Sequence, residues 1–144
     1  MLPTQIRTKR IYEKATQADG TRVLVDRLWP RGVSKDRAAL QAWLKDLAPS
    51  DKLRKLFHEH PESWPKFRKE YCKELRQPEA TAALSELYRL ASQRKRLTLL
   101  FASKDEQHNN AIVLRELLEG VRKPPSGTGP LRAVPQRQAK RLPA

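Results

Sequence analysis

Apolar positions recur along this chain with two different periods, and the places where one period gives way to the other mark its elements. Residues 6–11 alternate in part, as a half-buried strand does, and Asp19-Gly20 then signals a turn. Residues 21–28 form a short β-branched and apolar run, predicted as an inner strand. Leu40, Trp43, Leu44 and Leu47 follow at helical spacing behind Ser34, a suitable N-cap, which predicts an amphipathic helix over 35–47. Pro49-Ser50 ends that helix and opens another that carries Leu53, Leu56 and Phe57. Past Pro61, the residues Trp64, Phe67, Tyr71 and Leu75 share one stripe, and at that spacing the aromatics serve a core rather than a platform for stacking bases. Ala80, Leu84, Leu87, Tyr88 and Ala91 define a further helix, closed by Arg94-Lys95-Arg96, whose charge suits the negative end of the helix dipole. The continuous run Leu97-Thr98-Leu99-Leu100-Phe101-Ala102 fits a central strand covered on both faces. Ser103-Lys104-Asp105-Glu106 then has the form of a capping box, and Ala111, Leu114, Leu117 and Leu118 carry a last helix to Gly120.

Strands near both ends with helices between them predict an α/β fold, a small mixed sheet of three or four strands with helices packed on its faces. The pattern leaves open whether the first two strands pair as a hairpin through Asp19-Gly20 or join the sheet from separate places. Residues 1–120 are long enough to make one domain with its own core, without help from disulfides or metal. Beyond Gly120, seven Pro and Gly residues break every helix and strand period and large apolar side chains are scarce, so residues 121–144 read as a disordered basic tail.

Composition narrows the classes. No stretch approaches the ~18 apolar residues of a membrane span, and the opening Met1-Leu2-Pro3-Thr4-Gln5-Ile6-Arg7 has no apolar segment of the secretory kind. Cys72 stands alone, which rules out an internal disulfide and suits a reducing compartment. A cytoplasmic protein with no membrane partner is expected. The net charge is +14, and six of the 30 Lys and Arg lie in 121–144 with no acid beside them. Such a field concentrates anions, whether nucleic acid, acidic lipid or phosphorylated metabolite, without bearing on the fold.

Two polar clusters sit directly after apolar runs: Asp26-Arg27-Leu28-Trp29-Pro30-Arg31-Gly32, and Ser103 to Asn110. Residues just past the strand ends of an α/β sheet line the crevice that holds ligands. Arg27, Arg31 and Lys104 are therefore candidates for holding a phosphate or carboxylate, with Asn109 and Asn110 orienting it through amide donors. Asp105 and His108 are the candidates for moving a proton if the protein is an enzyme on a small anionic or nucleotide-like substrate; the same pocket without chemistry would be a sensor. The alternative reading is a nucleic-acid-binding protein that uses its basic surface and tail. No cofactor is expected, because the chain has no Gly-rich phosphate loop and no nucleophile elbow. His58-Glu59-His60 is a poor metal site, since residues two apart on a helix point to different sides and no further ligand lies at zinc spacing. Cys72 has no activating arrangement around it in the sequence.

At these same positions the chain resembles the YeaO-like proteins, a small bacterial domain of unknown function. The resemblance rests on Arg22-Val23-Leu24-Val25-Asp26-Arg27-Leu28-Trp29-Pro30-Arg31-Gly32, on Trp43-Leu44-Lys45-Asp46-Leu47-Ala48-Pro49-Ser50, on Leu56-Phe57-His58 and Phe67-Arg68-Lys69-Glu70-Tyr71, and on residues 97–110; it covers residues 5–119. It implies a compact α/β domain and brings no established activity. Some relatives place cysteines in the loop after the last strand, where this chain has Ser103 and Lys104, so thiol chemistry is not expected there.

Overall fold

A computed structural model of the protein describes residues 5–120. Its centre is a parallel sheet of four strands, β1 (Gln5–Arg10), β2 (Thr21–Leu24), β3 (Ala42–Trp43) and β4 (Arg96–Phe101), in the order β1-β4-β2-β3. The α/β class and the four strands agree with the pattern, but the sheet is parallel throughout rather than mixed. The hairpin option also falls away, because β4 lies between β1 and β2 and pairs Leu97 with both Ile6 and Thr21.

Strand alternation divides the interior in two. Ile6, Val23, Val25, Leu97, Leu99 and Phe101 point to one face, where α2 (Asp51–Glu59), α3 (Trp64–Glu74), α4 (Pro78–Gln93) and α5 (Asn110–Glu119) cover them. The predicted aromatic stripe belongs to this core: Phe67, Tyr71 and Leu75 are buried, and Trp64 stacks on Phe67. Tyr88 departs from the pattern; it is more than one third exposed at the helix surface. On the other face Leu24 and Leu100 pack with Ile11, Val33 and Ala38, flanked by Trp29 and Trp43.

The second strand ends at Leu24, not Leu28, because the backbone beyond Val25 turns away into the Asp26 to Gly32 loop. The helix predicted over 35–47 is one turn only, α1 (Lys35–Ala38), started by Ser34, whose hydroxyl accepts from the Arg37 amide. Ala39 takes a left-handed conformation (φ 48°) and stops it. The chain then extends so that the Gln41 amide can donate to the Arg22 carbonyl and the Leu44 amide to the Leu24 carbonyl, completing the sheet edge as β3. Leu40 and Trp43 serve one core, Leu44 and Leu47 the other, so helix-like spacing arises here from a strand at the sheet margin. The Ser103-x-x-Glu106 box is not a helix start either. α5 begins seven residues later, capped by Asn109. The predicted basic tail over 121–144 lies outside the described residues. Among the described residues no helix is long and apolar enough to cross a membrane.

The parallel arrangement forces the chain after β1 back across the sheet, and a buried ionic cluster holds that return. Asp19, with no exposed side-chain surface, accepts from Lys9 at 3.0 Å and from Arg22 at 2.6 Å, while the Arg22 Nε donates to the Ala38 carbonyl and closes α1. The Thr98 hydroxyl of β4 donates to the Asp19 carbonyl. Burial by itself would raise the Asp19 pKa, but hydrogen bonds from the Thr16 amide, Lys9 and Arg22 override it and hold the group at about 2. A carboxylate whose folded pKa lies below its ordinary value of 3.8 stabilises the fold above that value and loses the contribution as pH falls toward 2. The Asp19→Asn variant should thus unfold about 2 kcal/mol more easily than wild type at pH 6. In urea titrations the gap should close between about pH 4 and 2; a gap that stays constant with pH would contradict the assignment.

Gly20 follows at φ +66°, with the position of a Cβ only 2.5 Å from the Arg96 carbonyl oxygen. Neither the dihedral nor the backbone neighbour can yield to a side chain. Gly20→Ala should lower stability by about 2–4 kcal/mol in the same assay, whereas Gly120→Ala, where nothing lies within 4 Å, should cost less.

Candidate functional site

The carboxyl ends of β2 and β4 lie side by side, and two polar side chains, half-buried Asp26 and buried Asn110, tie their loops together. Asp26 accepts from the Ala102 amide at 2.9 Å, and Asn110 donates from Nδ2 to the Val25 carbonyl at 2.8 Å. The Asp26 carbonyl in turn accepts from the Trp43 indole at 2.7 Å. Burial pushes the Asp26 carboxyl up, offset in part by hydrogen bonds from the Ala102 amide and the Asn110 side chain and by the charge of Arg54. Beneath them the fully buried Tyr71 donates its hydroxyl to the Leu47 carbonyl, and desolvation raises its pKa well above the ordinary value.

Beside this junction opens a groove of about 400 Å³. Arg27 lines it from the β2 loop and reaches the Ala48 carbonyl at 3.4 Å. Two helices present their starts to the same space: Ser50, the N-cap of α2, and Gln77, Glu79 and Ala80 at the start of α4. Amides in a helix's first turn lack intrahelical acceptors and carry a partial positive charge. Pro78 at the first position of α4 suits that start, since its missing N–H would have had no partner there. Asp46, Glu74 and Glu79 bring carboxylates to the lining; Glu74 accepts from both the amide and the hydroxyl of Ser50, at 2.8 and 2.5 Å.

Of the residues that sequence reasoning assigned to binding, Arg27 lines this groove, and Asn110 holds the floor of the junction next to it. Arg31 is exposed in the turn that Trp29 closes through its indole bond to the Val33 carbonyl, on the side of the second core. Lys104 is exposed in the loop after β4. Asp105 organises that loop, accepting from the amides of Gln107 and His108 at 3.0 Å. Although slight burial works the other way, these bonds and the adjacent His108 keep its carboxyl below the ordinary range. His108 lies 3.4 Å from Asp105 and rests against the Trp64 ring. Asn109 is spent on the helix start, accepting from the Ile112 amide while donating to the Asp105 carbonyl. None of Arg31, Lys104, Asp105, His108 and Asn109 lines the groove.

The sequence reading missed Asp46, Ser50, Tyr71, Glu74, Gln77 and Glu79. Ser50 and Gln77-Pro78 carried a signal as helix starts, and two such starts in one chain could have been tested for a common target. Tyr71 was visible only as a core residue. His58 and His60 are exposed, and among the described residues no three His, Cys, Asp or Glu side chains gather as a metal would need.

The sequence model of one protein family, DUF488-N3i, described as the inactive DUF488-N3 subclade, matches residues 5–127. The chain belongs to the DUF488-N3i family. It is 44% identical over 118 residues to the uncharacterized protein YeaO of Escherichia coli, covering 81% of this chain and 98% of that one. Similarity to the uncharacterized protein Rv3073c of Mycobacterium tuberculosis is 41% over 117 residues, 81% and 96% of the two chains. Another mycobacterial relative, the uncharacterized protein Mb3100c of Mycobacterium bovis, matches to the same extent. No solved structure matches the chain significantly. The resemblance to YeaO-like proteins therefore holds, and the DUF488-N3i match spans both strand-exit loops and every element around the groove.

The buried bonds at this junction are separable from ligand binding. Asn110→Leu leaves the Val25 carbonyl unpaired inside the protein and should cost about 2 kcal/mol in urea unfolding, while Asn109→Ala, which loses a helix cap, should cost about 1. An Asn110→Leu cost under about 0.5 kcal/mol would mean that water satisfies that carbonyl instead.

Proposed function

We propose that this protein binds, without turning it over, a small ligand bearing a phosphate or carboxylate, seated in the groove at the carboxyl edge of the sheet. The observation that carries the reading is convergence: the Arg27 guanidinium, Ser50 at the N-cap of α2 and the first turn of α4 line one space of about 400 Å³. A guanidinium fork and unpaired amides are complementary to a planar or tetrahedral oxyanion. That volume lies within the range of small-molecule sites. Binding without chemistry is supported by the family's description as inactive and by the placing of Asp105 and His108, the candidates for proton transfer, outside the lining. In this reading Arg31 and Lys104 raise the local anion concentration from outside the groove, as exposed charges do.

A second reading, nucleic-acid binding through the basic surface and residues 121–144, draws support from the net charge of +14. One comparison separates the two. Thermal-shift titration of the full chain with inorganic phosphate and phosphorylated metabolites should show binding that weakens about tenfold or more in Arg27→Ala. Removal of residues 121–144 should leave it unchanged. If Arg27→Ala binds these ligands as wild type does, the groove reading fails. If instead the truncation abolishes a steeply salt-dependent affinity for an oligonucleotide, nucleic acid is the partner.

A further inference from the structure

We infer that the ligand of this groove is a zwitterion, carrying an amino group opposite its acidic one; the inference rests on the reading of the groove as a ligand site. The lining presents both signs of charge. Arg27 is the one cation among the lining residues, and Asp46, Glu74 and Glu79 supply three carboxylates. Among the described residues none of these four groups has an ion-pair partner. Paired charges elsewhere in the molecule, such as Asp19 with Lys9 and Arg22, are accounted for by the fold; in the groove Glu74 is hydrogen-bonded to Ser50 without a balancing cation, and Arg27, Asp46 and Glu79 have no charged partner among those residues. Glu74 cannot swing clear of the groove, because the amide and hydroxyl of Ser50 hold both of its oxygens. Asp46 stands on the short turn Lys45–Leu47, and Glu79 on the first turn of α4.

A single oxyanion would satisfy Arg27 and leave most of the groove unfilled. A dianion long enough to fill it would set its second charge against the carboxylates, a like-charge contact that costs affinity. A ligand that also carries an ammonium turns the same contact into an attraction and complements both signs of charge in the lining. Amino acids and amine-bearing acids of comparable length are the class that meets both demands.

A five-carbon series tests this on the full-length protein at low salt: glutarate with two acids, δ-aminovalerate with one acid and one amine, and cadaverine with two amines. By isothermal titration calorimetry δ-aminovalerate should bind at least about tenfold more tightly than glutarate. The double variant Asp46→Asn, Glu79→Gln, both at exposed positions, should retain its fold by circular dichroism and bring the two affinities together. Arg27→Ala should abolish both. Glutarate binding as tightly as δ-aminovalerate, with dependence on Arg27, would overturn the zwitterion and leave the anion site standing. Cadaverine binding more tightly than δ-aminovalerate, with neither weakened by Arg27→Ala, would overturn both readings; no heat from any of the three would overturn the zwitterion, and the phosphate titration above then decides the anion site.

Discussion

One strand that must be covered on both faces dictates the plan of this molecule. β4 sends Leu97, Leu99 and Phe101 to one core and Leu100 to the other, and its single polar side chain inside, Thr98, is satisfied by the Asp19 carbonyl. A strand so buried cannot leave its own amides and carbonyls to water, so both of its edges must be paired. β1 and β2 supply the two edges, both parallel to it. The ten residues between them then have to recross the sheet, and the Lys9-Asp19-Arg22 cluster and the left-handed Gly20 are what allow so short a return.

The same constraint sets β2 and β4 side by side and so creates the edge at which the groove lies. The polar groups there divide by how they are satisfied. Asp26, half-buried, and Asn110, buried, spend their hydrogen bonds on the backbone of the opposite loop, because an unpaired polar group in that position would cost more than the bond returns. Asp105 and Asn109 do the same for the loop after β4. Arg27, Asp46 and Glu79 are different: exposed and free of ion-pair partners among the described residues, they are available to a ligand in a way the hydrogen-bonded set is not.

Legibility in the sequence followed the range of the interaction involved. The burial of residues 97–102, the stripe through Phe67 and Tyr71 and the Ser34 and Ser50 caps were readable because each depends on neighbours within a turn or two. The helix over 35–47 was misread because β3 needs partners nineteen residues away in β2 before its extended backbone becomes favourable. The capping box at Ser103 was misread for a related reason: Asp105 offers the loop amides a better acceptor, and Asn109, anchored beside the buried Asn110, starts the helix later.

The amino-acid order by itself determined the α/β class, the placing of most strands and helices, and the concentration of polar residues just past the ends of β2 and β4. Periodicity and capping are local, and their energetics are complete within a few residues. Only the tertiary structure decided that the strands are all parallel, that Asn109 and Asn110 are consumed by the fold, and that Arg27 shares one groove with Glu74 and the start of α4. Those outcomes depend on which distant groups meet once β4 has taken its two partners, and a buried donor or acceptor takes the nearest complement wherever in the chain it originates.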